Sequence, residues 1–226
     1  MGLIRRRIGA LLLTILTLGL TLPRGNAVPI TAKENGSPKR IALTFDDGPS
    51  TRYTGEILDI LKEYGVKATF FTVGVNIEKA PDLLRRIVSE GHEIGNHTYS
   101  HPHLQKMDAA TLAEELARTD ALIRRVAGVS PTLFRPPEGV VTTSVKAAAQ
   151  GGGYRLVLWS IDTRDWALNP VSDILQTVKR EASDGDIILF HDWVAGRSPT
   201  PDALRQVIPW LIAEGYEFVT VGQLMQ

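Results

Sequence analysis

The sequence predicts an α/β fold, a closed or nearly closed parallel barrel of the (β/α)7 type in a single domain. From residue 40 onward, short runs rich in β-branched and aromatic residues alternate with longer segments of helical periodicity. Acidic, histidine and arginine side chains follow the carboxyl ends of most of these short runs, where the active sites of barrels lie. An open doubly wound sheet remains an alternative, but the recurrence of polar strand ends favours the barrel.

Seven short runs are predicted as strands, at residues 41–45, 68–73, 93–95, 132–134, 155–159, 186–190 and 217–221. Six helices are predicted between them, at residues 54–64, 81–90, 109–127, 143–150, 171–181 and 201–214. The helix at 109–127 shows the clearest apolar spacing, at i, i+3/i+4 and i+7. Four helices run into a glycine, which predicts left-handed C-caps at Gly65, Gly91, Gly128 and Gly215.

Composition excludes several classes of function. The chain has 226 residues, of which 43% are hydrophobic, so it is long enough for one sizeable core. Basic and acidic residues balance at 25 each, which argues against a nucleic-acid partner. Cysteine is absent, so disulfides, thiolate zinc sites and cysteine nucleophiles are excluded.

The N-terminus is predicted to be a secretory signal peptide over residues 1–27, followed by a linker at 28–39 and the globular domain at 40–226. Three consecutive arginines precede an apolar run at 8–22, and Gly25 and Ala27 supply the small residues of a cleavage site. The run is short for a stable membrane span, although an uncleaved anchor or a core helix remains an alternative. Cleavage would remove four of the basic residues and no acidic one, leaving a mildly acidic secreted or periplasmic protein.

Two histidines four residues apart, His97 and His101, form a candidate metal site. On one helical turn both imidazoles would point the same way. With one carboxylate from Asp46 or Asp47 they make a set of three ligands that leaves coordination positions open. An isolated pair of this spacing is more often a surface feature, but the neighbouring polar strand ends favour the metal site.

Adjacent acids at a strand end suit two roles. One of Asp46 and Asp47 is predicted to bind the metal while the other accepts a proton from the attacking water. The alternative is a turn at Gly48 with one acid capping a helix. His191, which closes an apolar strand, is either a core histidine or a general acid whose pKa a nearby carboxylate such as Asp165 would raise.

Three tryptophans, Trp159, Trp166 and Trp193, are expected around the same strand ends, where their faces would suit stacking on sugar rings or would form part of the core. His92 and His103 are interpreted as a strand-flank and a solvated-loop residue without a chemical role.

The ordered strand-end motifs resemble those of the polysaccharide deacetylases, carbohydrate esterase family 4. The resemblance covers the chain from about residue 40 to the C-terminus, and five motifs in order are more specific than any one. They are Thr44-Phe45-Asp46-Asp47-Gly48-Pro49, His97-Thr98-Tyr99-Ser100-His101, Arg135-Pro136-Pro137, Asp162-x-x-Asp165-Trp166 and Leu189-x-His191. The family fold is a distorted (β/α) barrel, which agrees with the alternation of elements.

The resemblance implies a role for each matched residue. A divalent metal, most often zinc with cobalt as a substitute, would be held by Asp47, His97 and His101. Asp46 would be the general base, positioned by Arg135, and His191 the general acid, tuned by Asp165. Trp166 and Leu189 would line the pocket for the acetyl methyl group.

One position departs from the family pattern. Glu138 stands after the two prolines, where the family usually has an aromatic residue. The backbone N–H at this place helps to stabilise the oxyanion in the family, and any residue supplies it. The side chain borders the substrate groove, so a carboxylate there is expected to alter the sugar contacts and to select a different or charged glycan.

The implied function is metal-dependent hydrolysis of N-acetyl or O-acetyl groups on an acetylated glycan such as peptidoglycan, chitin oligomers or xylan. Two other functions remain open. A non-heme iron oxygenase also uses two histidines and one carboxylate, but commonly on all-β folds. A glycan-binding module of the same fold without turnover would account for Glu138 but not for the intact set of candidate base, acid and ligands.

Overall fold

The computed structural model of the protein describes residues 38–226. The predicted signal peptide at 1–27 and nearly all of the predicted linker lie outside the described residues. Eight strands are present: β1 Lys39–Asp46, β2 Thr69–Thr72, β3 Glu93–Asn96, β4 Leu133–Phe134, β5 Arg155–Leu156, β6 Ile161–Asp162, β7 Asp186–His191 and β8 Tyr216–Phe218. Eight helices accompany them: α1 Thr54–Glu63, α2 Gly74–Lys79, α3 Pro81–Ser89, α4 Ala109–Ala127, α5 Thr143–Gly151, α6 Val171–Glu181, α7 Thr200–Ala213 and α8 Val221–Leu224. Among these helices, none has the length and apolar character needed to cross a bilayer.

All strand pairs are parallel, and the sheet runs in the order β5-β4-β3-β2-β1-β7-β6. The short β8 pairs with the first residues of β1. The sheet curls into a barrel with helices outside. The barrel stays partly open because the strands at its two ends, β5 and β6, do not pair with each other. The predicted parallel (β/α) barrel is therefore confirmed in its distorted form.

Two apolar layers hold the sheet. Outward-facing side chains of β1, such as Ile41 and Phe45, pack under the helices, and the Phe45 ring stacks on Phe70 with centroids 4.9 Å apart. Inward-facing Ala42 and Phe71 join a smaller cluster inside the barrel. Alternation along a strand thus leaves the inward positions near the carboxyl ends free for polar residues.

Local signals account for the helix ends. Asp108 caps α4 by accepting from the N–H groups of Ala110 and Thr111, and Gly128 ends the helix at φ 71°. All four predicted left-handed glycines have positive φ, between 68° and 80°. A left-handed residue at this position costs least when it is glycine, because there is no Cβ to clash.

The structure corrects the predicted elements in three places. The predicted strand at 155–159 ends at Leu156, and a separate strand, β6, begins at Ile161. The predicted strand at 217–221 ends at Phe218, because Thr220 and Gln223 form a capping box that starts α8. Helix α2 was not predicted; at six residues it is too short for helical periodicity to reveal it.

Candidate active site

The strand register brings the polar strand ends to one rim of the barrel. Asp46 of β1 is the direct neighbour of His191 on β7, and Asp162 of β6 is the neighbour of Leu189. His97 and Arg135 follow the paired residues that end β3 and β4. These ends surround a cavity of about 500 Å3, lined by Asp46, Asp47, His97, His101, Glu138, Trp159, Asp162, Trp166, Leu189 and His191.

Three of these side chains form a cluster suited to a metal ion. One ligand atom each from Asp47, His97 and His101 lies within 4.8 Å of the other two. The Asp47 Oδ1 atom is 3.4 Å from His97 Nε2 and 3.3 Å from His101 Nε2. This oxygen is buried and has no hydrogen-bond partner among the described residues, as expected of an atom meant for a cation.

The tautomer of His97 also fits a metal ligand. Its Nδ1 lies 2.6 Å from the carbonyl oxygen of Arg135, to which it donates. The proton therefore sits on Nδ1, and the lone pair of Nε2 faces Asp47. Two imidazole nitrogens and one carboxylate match the ligands of a catalytic divalent metal with open positions.

The prediction that His97 and His101 share a helical turn was wrong. They lie in a loop after β3, in which Thr98 has φ 68° and His101 has φ 54°. Asn96 Oδ1 accepts from the Thr98 N–H at 2.8 Å, and Glu115 accepts from the backbone N–H groups of Tyr99 and Ser100. These contacts compensate for the left-handed backbone, and the two rings converge without helical geometry.

The backbone separates the two adjacent acids. Asp47 has φ 74°, which directs its carboxylate toward the histidines, and its carbonyl accepts from Asn76 Nδ2 at 2.8 Å. Asp46 instead directs its Oδ1 to Arg135, and its Oδ2 is 3.8 Å from His97 Nε2. Asp47 is thus the acid of the metal cluster, and Asp46 lies beside it.

Charges within the cluster shift the pKa values of its members. Burial raises the pKa of Asp47, but the nearby ring and charge of His97, with the charges of His191 and His101, lower it overall. Burial lowers the pKa of His101, which favours the neutral ligand form. Burial also opposes protonation of His97, but Asp46 and Asp47 raise its pKa overall, so metal binding is expected to weaken as the pH falls.

Arg135 fixes Asp46 from inside the barrel. The guanidinium is fully buried, and its Nη1 donates to Asp46 Oδ1 at 2.7 Å and to Thr44 Oγ1 at 2.8 Å. Its Nη2 donates to the carbonyl oxygen of Leu158. It also lies over the Phe71 ring, 4.1 Å from its centroid. The second oxygen of Asp46 remains directed toward His97 and the cavity.

On the other side of the cavity, Asp165 holds His191. Asp165 is fully buried and accepts from His191 Nδ1 at 2.8 Å, from the His191 backbone N–H and from Thr200 Oγ1. Burial lowers the pKa of His191, but the hydrogen bond and charge of Asp165, with the charges of Asp46 and Asp47, raise it to about 9. The ring is therefore protonated at neutral pH and presents Nε2–H to the cavity.

Comparison with known proteins shows the family of this chain. The family model for polysaccharide deacetylases matches residues 33–157, more than half of the chain. The chain belongs to the polysaccharide deacetylase family. It is therefore a metal-dependent hydrolase that removes acetyl groups from a carbohydrate polymer or oligomer.

Individual relatives match over most of their length. A peptidoglycan-N-acetylglucosamine deacetylase of Bacillus cereus is 39% identical over 199 residues, which cover 87% of this chain and 93% of that protein. A chitooligosaccharide deacetylase of Bradyrhizobium is 36% identical over 82% of this chain and 90% of its own. A family 4 acetyl xylan esterase of Clostridium thermocellum, solved with a cobalt ion, superposes with a TM-score of 0.78 at 37% identity over 82% of this chain and 90% of that chain.

The remaining predicted site residues of the deacetylase also line the cavity. Leu189 is buried at its wall, Trp166 is half exposed, and Trp159 lies beside Gly139. Glu138 reaches the same cavity from a backbone with φ 58°.

Trp193 and the two histidines interpreted as having no chemical role, His92 and His103, lie outside the main cavity. Trp193 lines a neighbouring cavity rather than the main one. His92 is buried, and its Nδ1 accepts from the Ala68 N–H at 3.2 Å, while His103 is 88% exposed at its side chain.

Sequence reasoning assigned no role to Asp192, whose carboxylate packs against the turn at Gly48. It is 1% exposed, accepts from Thr54 Oγ1 at 2.6 Å, and lies against Gly48, next to the ligand Asp47. Burial raises its pKa to about 7, with the charges of Asp47 and Asp46 adding to the shift. Its position directly after His191 was the only available signal.

Gly48→Ala is expected to disturb this packing. A Cβ at residue 48 would overlap the carboxylate of Asp192, which must then move away from Thr54. Overpacking of this kind costs about 1–3 kcal/mol of unfolding free energy. We expect a lower midpoint in chemical denaturation and weaker metal binding by calorimetry. Gly151→Ala is the matched control, because a Cβ there meets nothing within 4 Å. Equal stability of both variants would show that Asp192 does not support the turn at Gly48.

Proposed function

We propose that this deacetylase hydrolyses the acetamide of N-acetylglucosamine residues in peptidoglycan or in a chitin-type oligosaccharide. The observation that carries the proposal is the placement of Asp46 and His191 on adjacent strand ends, both facing one cavity that also contains the Asp47, His97 and His101 cluster. The names of the relatives in Bacillus cereus and Bradyrhizobium support these two substrate classes.

Asp47, His97 and His101 would hold the metal, and we propose zinc, since two imidazoles and a carboxylate suit it well. Cobalt is an expected substitute, as in the solved acetyl xylan esterase. When bound, a divalent cation at this place polarises the acetyl carbonyl and lowers the pKa of a water molecule.

Asp46 acts as the general base in this proposal. Its oxygen near His97 faces the cavity, while Arg135 holds the other oxygen in place. The free oxygen accepts a proton from the water that attacks the acetyl carbon. A rigidly held base loses little orientational freedom at the moment of reaction.

His191 acts as the general acid. The amine leaves the tetrahedral intermediate readily only when its nitrogen is protonated, and the protonated His191 donates from Nε2. Asp165 keeps Nδ1 occupied and stabilises the imidazolium. Leu189 and Trp166 would enclose the acetyl methyl group beside this acid.

The N-terminal segment bears on where the enzyme works. We propose that residues 1–27 direct export, that 28–39 form a linker and that 40–226 form the catalytic domain, because the arginine-flanked apolar run precedes a small-residue cleavage site. The enzyme would then work in the periplasm or outside the cell, where peptidoglycan is accessible.

Acetate release tests the proposal. Purified protein loaded with zinc is expected to release acetate from N-acetylglucosamine oligomers and from peptidoglycan, and a chelator is expected to abolish the release until zinc or cobalt is returned. Turnover that persists after complete metal removal would contradict the proposed function.

The same assay separates the two rival functions. Oxygen uptake with a 2-oxo acid, without acetate release, would indicate an iron oxygenase. Binding of the polymer without acetate release, with zinc or cobalt present, would indicate a binding module.

A further inference from the structure

The metal cluster lies between two cavities. Asp47 and His101 line both the main cavity and a second one of about 360 Å3. The other walls of the second cavity are Val73, Val75, Asn76, Lys79, Ser100 and Trp193. A glycan that presents one acetyl group to the cluster therefore has space for neighbouring sugars on either side.

Glu138 and Asp162 place two carboxylates in the lining of the main cavity. Glu138 is about half exposed at its side chain, and its Oε1 lies 2.8 Å from Nδ1 of the exposed His103 ring. Asp162 accepts from the Arg164 N–H at 2.9 Å, and no cationic side chain of the described residues lies within 4 Å of it. An anionic substituent entering this side would meet both carboxylates.

The second cavity is lined by one lysine, Lys79, and by one carboxylate, Asp47, which belongs to the metal cluster. Lys79 ends helix α2, and its Nζ is 3.3 Å from Asn76 Oδ1, with no carboxylate of the described part of the chain within 4 Å. The nearest acid along the helix, Glu78, accepts from the Tyr99 hydroxyl at 3.0 Å. Trp193, 45% exposed, adds an aromatic face to the same cavity.

We propose that the substrate cleft is polarised and orients an anionic glycan. A carboxylate-bearing sugar next to the reacting N-acetylglucosamine, such as one with a lactyl ether, binds in the second cavity against Lys79 and Trp193 and is repelled from the side of Glu138. This inference rests on the proposed function and names the class of polymer that the same site favours.

The test compares two forms of one substrate. The probe is the peptide-free disaccharide of N-acetylglucosamine and N-acetylmuramic acid, in which the glucosamine has one charged neighbour, either with the free lactyl carboxylate or as its methyl ester, which has the same sugars without the charge. Acetate released from the glucosamine residue is assigned by mass spectrometry. The readout is the ratio of kcat/KM for the acid to that for the ester, in which any loss common to both substrates cancels.

For the wild type we expect a ratio above one that falls toward one as salt rises from roughly 0.05 to 0.5 M, because ions screen exposed charges. Lys79→Met is expected to lower the ratio about 1.4- to 5-fold, the range for an exposed ion pair, and Lys79→Arg to restore it. Glu138→Gln is expected to raise the ratio about 2- to 5-fold by removing like-charge repulsion.

Lys62→Met is the matched control, since Lys62 also lies in the last turn of a helix but lines neither cavity. A ratio that is the same in Lys79→Met and the wild type would overturn the polarised cleft. Chitotetraose separates the two failures. If it is deacetylated while acid and ester react equally at low salt, the polarity is wrong and the proposed function stands. If no substrate releases acetate with zinc added, the proposed function itself fails.

Discussion

Asp46→Asn is expected to lower kcat for acetate release about 100- to 10,000-fold, the usual contribution of a positioned general base. The amide keeps an acceptor for Arg135 but does not take a proton from water. Because Asp46 lies outside the ligand cluster, the variant should still bind zinc by calorimetry. Asp47→Ala, in contrast, is expected to lose both zinc and activity.

Stability has to be measured alongside, since Asp46 is also the anionic partner of a fully buried arginine. Loss of one charge from a buried pair costs about 3–5 kcal/mol. Thr44→Val serves as the control, because it removes another acceptor of the Arg135 guanidinium without touching the base. If Thr44→Val lowers kcat as much as Asp46→Asn does, the loss belongs to the positioning of Arg135 and not to proton transfer.

His191→Gln is expected to lower kcat on N-acetyl substrates about 100- to 10,000-fold. The pKa of about 9 means that the acid form is present at neutral pH and is lost as the pH rises. A bound divalent cation repels the imidazolium, so the alkaline limb of kcat should fall at or below about pH 9. The variant should lack this limb.

A substrate that needs no general acid makes this test specific. Aryl acetates release a phenolate without protonation, so His191→Gln should retain far more of its activity on an aryl ester than on an amide. Asp165→Asn should move the alkaline limb of the parent enzyme to lower pH, because the charge and hydrogen bond that raise the His191 pKa are weakened. Equal losses on ester and amide would exclude His191 as the acid.

Protonation of His191 also affects the stability of the folded protein. His191 has a higher pKa in the folded protein than its ordinary value of 6.5, so its protonation stabilises the fold fully below about pH 6.5. That contribution is lost as the pH rises toward 9.

Local patterns predicted those elements whose limits are set within the chain. Helices Ala109–Ala127 and Val171–Glu181 have the predicted bounds, because both show amphipathic spacing, and Asp108 and Gly128 also cap the first of them. The predicted strand at 155–159 was too long because β5 pairs with only two residues of β4, after which Trp159 turns into the cavity. Pairing of this kind depends on distant segments, which local sequence does not report.

The candidate site divides in the same way. Residue type and order identified Asp46, Asp47, His97, His101 and His191 as chemical groups at strand ends. The residues alone left open which acid joins the histidines and required a helical turn that is absent. Left-handed φ values at Asp47, Thr98 and His101 decided both points, and these conformations persist because Asn76, Asn96 and Glu115 bond to the loops.

The sequence by itself determined the class of fold, most of the helices and the set of candidate acids, bases and metal ligands, since periodicity and chemistry are properties of residues near each other in the chain. Only the tertiary structure decided how these groups are arranged: Asp47 faces the two histidines, Asp46 faces Arg135, and Asp192 lies against Gly48. These positions depend on distances between segments far apart in the sequence, and such distances are set only when the strands have paired into the barrel.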